Sequence, residues 1–370
     1  MKTIVLYFIT LFLFSPGCTS TRNISSEKEI LSGKDLHAYG RTIVDGAGAL
    51  HLITSAAHFG FSFDGSRVQL FVSLTNGASH NYIQYELDGV YQKKIRIERA
   101  LQQPLTITAP PGKHTVWIYK ATEAHTGDIA IQKIAGTNLV PLVRDALPII
   151  EFIGNSITCG AAADASEVPC GQGEYHDQHN AYLAYGPRVA RALNTEFVLS
   201  SVSGYGIYRT WNRESPSLPA VYDKVDFQPY TTQLWNSKNF TPHIVSIALG
   251  TNDISEGDHQ SPRNSFDSAI FVSTYVQFVQ TIKGKYPKAK VALLSSPMVS
   301  GAKGKLLENC LSAVKEQIDR LSAVKKVELF FFEPMQPRGC SYHPSVEDHA
   351  IMAEQLIPFF SKLLLDAAKQ

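Results

Sequence analysis

The chain has 370 residues, 44% of them hydrophobic, and a formal net charge of +1 at pH 7. That is more chain than one core needs, so two domains are expected. The near-neutral balance removes the electrostatic case for nucleic acid or an anionic membrane surface as a partner.

Residues 1–18 open with Lys2, run apolar from Ile4 to Phe14 and close on Ser15-Pro16-Gly17-Cys18. This pattern predicts a secretory signal that is too short to remain as a spanning anchor. Small residues directly before a cysteine resemble a bacterial lipoprotein processing site, which would make Cys18 the lipidated N-terminus; an ordinary cleavage nearby is the alternative. On either reading the protein is exported, and on the first it is a periplasmic or cell-surface lipoprotein whose only membrane contact is the lipid. Residues 19–34 are polar and aperiodic, as a linker would be.

From 35 to 142 the pattern is short alternating runs broken by Gly, Asn, Asp and Pro. The segments 82–87 and 90–97 flank Asp88-Gly89, a pair that favours a two-residue hairpin turn. Further strands are expected at 59–63, 67–74, 105–108, 114–120 and 129–134. Together they predict an all-β sandwich of jelly-roll type.

The texture changes near the boundary at 139–147, and a second domain is expected over 148–370. Apolar runs at 149–153, 197–202, 244–249, 291–294 and 327–332 alternate with helical patterns at 181–193, 266–283, 305–321 and 345–368. Strand and helix repeated this way predict a flavodoxin-like parallel sheet covered on both faces, an α/β three-layer sandwich.

In such a sheet chemistry collects beyond the carboxyl ends of the strands. The first strand is followed by Gly154-Asn155-Ser156, the second by Ser203-Gly204-Tyr205-Gly206, the third by Gly250-Thr251-Asn252-Asp253, and the fifth by a loop carrying Ser341-Tyr342-His343-Pro344. A serine, glycine and amide donors and a histidine on one edge are what acyl transfer needs: a nucleophile, a base and an oxyanion hole. Tyr205, Tyr208, Trp211 and Tyr342 fall near that edge, where their rings could offer an apolar platform with polar tips to a bound ligand or could pack between loops. His176 and His179 fall in a polar loop and read as solvated.

Outside the signal, Cys159, Cys170, Cys310 and Cys340 form an even set, and at least one disulfide is expected among three possible pairings. Their spacing is not that of a zinc site, so no metal and no other cofactor is implied.

The blocks Gly-Asn-Ser-Ile-Thr, Ser-Gly-Tyr-Gly, Gly-Thr-Asn-Asp and Tyr-His-Pro-Ser resemble those of the SGNH (GDSL) hydrolase superfamily. Lys120-Ala-Thr-Glu-Ala124, Ala181-Tyr-Leu-Ala-Tyr-Gly186 and Gly339-Cys-Ser-Tyr-His-Pro-Ser345, after a jelly-roll domain, narrow the resemblance to carbohydrate esterase family 2. The resemblance implies an acetylxylan esterase-like deacetylase acting on acetylated plant polysaccharide or oligosaccharide, such as xylan or glucomannan. By position, Ser156 would be the nucleophile and His343 the base, with Ser156, Gly204 and Asn252 as the oxyanion hole. The alternatives are a superfamily lipase or thioesterase acting on other short acyl esters, and a catalytically weak carbohydrate-binding homologue.

One departure stands out. Superfamily members carry an aspartate three, or in some relatives two, residues before the histidine, where this chain has Cys340 and Ser341. Asp348, on the following helix, is poorly placed to replace it. A main-chain carbonyl of the 339–341 loop is therefore expected to orient His343, leaving a Ser156–His343 dyad; the alternative is a distant Asp or Glu folded into place.

Overall fold

The computed structural model of the protein describes residues 22–23, 28–75, 79–99, 103–144, 147–237, 240–260, 263–321 and 326–367. The expected signal and its Cys18 lie outside them. Among the described residues no helix is long and apolar enough to cross a membrane.

The N-terminal half is an antiparallel β-sandwich built around two long strands, His58–Leu74 and Ile129–Val143, that pair along most of their length. Three register shifts along this pairing mark irregularities in the ladder, where bulges bend strands. The first part of His58–Leu74 pairs with Lys113–Lys120 and the second with Leu105–Thr108, so one strand serves both regions of the sandwich. Phe59, Phe61 and Phe63 alternate into a core shared with Leu70, Ile83, Ile118 and Ile131, as a period of two demands. The Asp88-Gly89 hairpin forms with φ of 54° and 78°, the two positive values a type I′ turn requires.

Three expectations need correcting. The segments 59–63 and 67–74 are one strand, because the polar stretch 64–67 stays extended as the strand changes partners. Lys28–Ser32, expected in the linker, pairs with Ile129–Val143. That long strand runs through much of the expected 139–147 boundary, so the sheet ends only at Val143.

The C-terminal half is a five-stranded parallel sheet in the order Glu196–Ser201, Ile149–Gly154, Ile244–Ala248, Lys290–Leu294, Val327–Phe330. Its strands are predominantly apolar because both faces are covered, with Glu151, Glu196, Ser200 and Ser246 among the buried polar exceptions. One face packs on Ser268–Lys285 and Gly301–Leu321 through Phe271, Tyr275, Leu311 and Val314. The other packs on Tyr185–Ala192 and Val346–Ala367 through Val189, Met352, Leu356 and Phe360.

The two halves share their interior. Trp117, Tyr119 and Leu142 of the sandwich enter the same apolar cluster as Phe152, Tyr182 and Phe197. Arg41, fully buried, crosses the junction: its Nη1 donates to the carbonyls of Tyr222 (2.6 Å) and Lys224 (2.7 Å), and its Nη2 to Ser200 Oγ (3.2 Å). The guanidinium lies 4.0 Å from the Phe227 ring centroid and 4.3 Å from that of Trp235.

Candidate active site

Register places three of the sequence blocks side by side. Gly154 is level with Ser201 on one side and Ala248 on the other, so the chain leaves three adjacent strands at one height. Ser156 follows two residues later, Gly204 three after Ser201, and Asn252 four after Ala248. The first exit is tight: a Cβ on Gly154 would stand 2.0 Å from Thr158 Oγ1, so only glycine allows the strand to turn directly into the short helix Ser156–Cys159. Asn155 caps that helix by accepting from Ile157 N–H at 3.1 Å, and Ser156 takes its first position, 7% exposed. Among the described residues neither Ser156 N–H, at a helix start, nor Gly204 N–H, in a turn, donates to a protein acceptor.

The second and third loops lock together. The Asn252 side-chain amide donates to Tyr205 O at 2.9 Å, which uses one of its two hydrogens. Asp253, fully buried, accepts from the backbone N–H groups of Ile207 (2.9 Å) and Tyr208 (3.0 Å). Burial lifts its carboxyl to about 6 against those N–H bonds and the charge of Arg209, and the two N–H bonds hold the loop.

His343 arrives on a separately anchored loop. Cys340 is disulfide-bonded to Cys170, its N–H donates to Ala162 O (2.8 Å), and Val346 N–H donates to Ala163 O (3.0 Å). The loop is thereby docked on the segment that leaves the Ser156 helix. Within it Gly339 N–H donates to His343 O at 2.8 Å. Ser341 and Tyr342 are both left-handed, with φ of 51° and 59°, a conformation that costs non-glycine residues roughly 1–3 kcal/mol each. The result is that Ser341 O meets His343 Nδ1 at 2.8 Å. A carbonyl only accepts, so Nδ1 carries the proton and Nε2 presents its lone pair. This is the main-chain acceptor expected from the missing aspartate. Asp348 is occupied elsewhere, accepting from Arg338 and from Ser345 N–H.

Several site features were not anticipated. Tyr175 Oη lies 3.4 Å from His343 Nε2, and its ring stands edge-on to both His343 and His179. His176 and His179 are buried, not solvated, because the polar loop folds between the domains; His179 Nε2 donates to Glu123 Oε1 at 3.1 Å. Tyr208 packs among Phe266 and Phe271, with its hydroxyl accepting from Asp267 N–H, and so lines the core. Tyr205 is half-buried against the same core, whereas Trp211 (41% exposed) and Tyr342 (86% exposed) face solvent beside Gly204 and His343. Among the described residues His80, His176 and Asp177 converge as metal ligands would. His80 Nε2 lies 2.5 Å and Tyr82 Oη 2.9 Å from Asp177 Oδ1. Cys159 and Cys310 are free thiols.

Burial pushes the His343 pKa down, only partly opposed by the Ser341 carbonyl and the charge of Glu123. Acting as a general base, a histidine with a lowered pKa would stay unprotonated to lower pH, so if His343 fills that role the acid limb of kcat/KM is expected to fall below the ordinary histidine value of about 6.5. Ser341→Asp is sterically tolerable, since Asp adopts left-handed φ more readily than most residues. Its carboxylate would stabilise the imidazolium and move the limb upward, with kcat within about tenfold of wild type. A wild-type limb at or above 6.5, or an unmoved limb in Ser341→Asp, would contradict this account.

Comparison with known proteins agrees with the geometry. A model of the GDSL-like lipase/acylhydrolase family matches residues 152–351, and one of the carbohydrate esterase 2 N-terminal domain matches residues 38–142. An acetylxylan esterase / glucomannan deacetylase of Cellvibrio japonicus is 30% identical over 261 residues, covering 67% of this chain and 69% of that protein. Among solved structures, a family two carbohydrate esterase from Cellvibrio japonicus superposes with a TM-score of 0.77 at 25% identity, covering 94% of this chain and 99% of the other. A family two carbohydrate esterase from Clostridium thermocellum, solved in complex with cellohexaose, shares the fold with a TM-score of 0.77 at 24% identity, over 90% of this chain and 99% of that one.

Proposed function

This chain belongs to the GDSL-like lipase/acylhydrolase family, carries the N-terminal domain of carbohydrate esterase family 2 and is a serine carboxylic-ester hydrolase of the carbohydrate esterases; on that premise we propose that it removes acetyl groups from acetylated xylan or glucomannan through a Ser156–His343 acyl-enzyme. What supports this reading is the register that lets Ser156, Gly204 and Asn252 follow three adjacent strands, together with a histidine loop, its His343 Nδ1 held by Ser341 O, docked on the segment that leaves the Ser156 helix.

In this reading His343 Nε2 takes the Ser156 Oγ proton as Oγ attacks the acetyl carbonyl. The negative oxygen is received by the N–H groups of Ser156 and Gly204 and by the second amide hydrogen of Asn252. The imidazolium returns its proton to the departing sugar oxygen, leaving acetyl-Ser156. Water, deprotonated by the same nitrogen, then releases acetate and restores the serine. Trp211 and Tyr342 offer exposed ring faces for sugar units. The Trp211 indole also lies against Gly204, where an added Cβ would meet Cδ1 at 2.8 Å, which favours a short acyl group. The leader of residues 1–18 supports placing the activity outside the cytoplasm, with Cys18 as the lipid attachment.

The test is acetate release from acetylated xylan and glucomannan, set against 4-nitrophenyl acetate and esters of longer chains. Activity on acetylated polysaccharide that falls steeply beyond acetate is expected. Equal or better turnover of long-chain esters would favour a lipase or thioesterase, and binding without turnover a carbohydrate-binding homologue.

A further inference from the structure

One buried acid has no part in the chemistry above. Glu123 belongs to the sandwich domain, in the turn after Lys113–Lys120, yet its side chain is fully buried against the catalytic domain. Its Oε2 accepts Ser203 N–H at 2.7 Å, its Oε1 accepts the Ser203 hydroxyl, and Oε1 also accepts His179 Nε2–H at 3.1 Å. The turn is itself pinned by Lys120, whose Nζ donates to Thr122 O (3.2 Å) and Glu123 O (2.5 Å).

We propose that Glu123 is a positioning residue of the esterase site, supplied by the sandwich domain to set the direction of the Gly204 N–H. This rests on the reading that Gly204 is an oxyanion donor. A carboxylate that takes both the N–H and the hydroxyl of Ser203 fixes that residue's backbone and side chain together. The peptide between Ser203 and Gly204 is the next unit of the chain, so its N–H is aimed by the same grip. Gly204 itself is left-handed at φ 79°, a conformation that leaves the loop free to turn unless something upstream holds it.

The other arm of the carboxylate reaches the base. His179 Nδ1 accepts Ala162 N–H at 3.3 Å, and Ala162 O accepts Cys340 N–H at 2.8 Å, three residues before His343. One acid thus registers the oxyanion loop and the histidine loop to each other. The titratable groups around it are Lys120, His125, Cys159, Tyr175 and His179, with His343 within electrostatic reach. Although burial opposes ionisation, the charge of His125 and the bonds from His125 and His179 hold Glu123 well below the usual carboxylate range, so it is an anion at working pH. That negative charge raises the His343 pKa.

Glu123→Gln keeps the shape and removes both the charge and one acceptor oxygen. It is expected to fold, to lose ~10²-fold in kcat with KM nearly unchanged, as a misaimed group does, and to shift the acid limb of kcat/KM to lower pH. Where Glu123→Gln fails to accumulate as folded protein, Glu123→Asp keeps the charge but shortens the reach; kcat is then expected to fall with the limb unmoved. A folded Glu123→Gln with wild-type kcat and an unshifted limb overturns the proposal, as does a loss confined to melting temperature. Ser156→Ala in the same assay separates the two claims. If it is inactive while Glu123→Gln behaves as wild type, only the positioning role falls; if it retains turnover, the site reading falls as well.

Discussion

Ser156→Ala is expected to lower turnover of acetyl esters by ~10⁴-fold or more while leaving the fold and carbohydrate affinity intact. Removing a nucleophile that acts as a unit with its base costs about as much as removing both, and only the oxyanion donors remain to act on water. The local structure supports a clean result. Ser156 is capped through Asn155, and no described side-chain hydrogen bond depends on its hydroxyl. Deleting Oγ therefore removes chemistry without unpairing a buried partner. Circular dichroism and melting temperature establish that the variant is folded, and a pH-stat measures acetate release. Near wild-type turnover in a folded Ser156→Ala would refute the assignment.

Arg41→Ala is expected to carry the largest stability cost, about 3–5 kcal/mol, by the mechanism of breaking a buried charge network. Arg41 satisfies two main-chain carbonyls and Ser200 Oγ, and Ser200 in turn donates to the buried carboxylate of Glu151 at 2.6 Å. Burial lifts the Glu151 pKa and Arg41 is the first charge that opposes it, so the variant would leave an acid with less to stabilise its ionised form. Three unpaired acceptors and a cavity walled by Phe227 and Trp235 would remain. The urea midpoint reports this loss. Because the guanidinium joins the domains, two separate unfolding transitions are expected to emerge from one. An unfolding free energy within about 1 kcal/mol of wild type would mean that the aromatic walls carry the junction alone.

The parallel sheet was legible because each strand is mostly apolar, broken by single acids and serines, and strand ends announce the site wherever such a run stops at glycine. The orienting carbonyl could be anticipated by elimination: Cys340 and Ser341 offer no carboxylate, while the backbone around them always offers oxygen. The long sandwich strands were not legible, since a strand that changes partners midway carries polar residues where a turn would. Glu123 and His179 were hidden for another reason. They lie 56 residues apart, in different domains, and each taken singly is a polar residue in a polar turn. Only the fold makes either one buried. Nor could the sequence choose Cys170 as the partner of Cys340, because the 5.1 Å between their Cα atoms depends on how the polar loop packs.

The histidine loop carries a consequence for how substrates are told apart. Its backbone is over-determined in the free protein, by the Cys170 link, the Ala162 and Ala163 contacts and the Gly339–His343 bond. A segment fixed from so many sides has little conformational entropy left to lose on binding. With His343 as the proposed base, substrates would therefore meet it already in place, and none would gain advantage by ordering it. On the proposed reading, selectivity among acetylated sugars would then arise on the rim, where Trp211 and Tyr342 are exposed, so that discrimination would be read in KM and the turnover of a correctly seated ester would vary little from one sugar to the next.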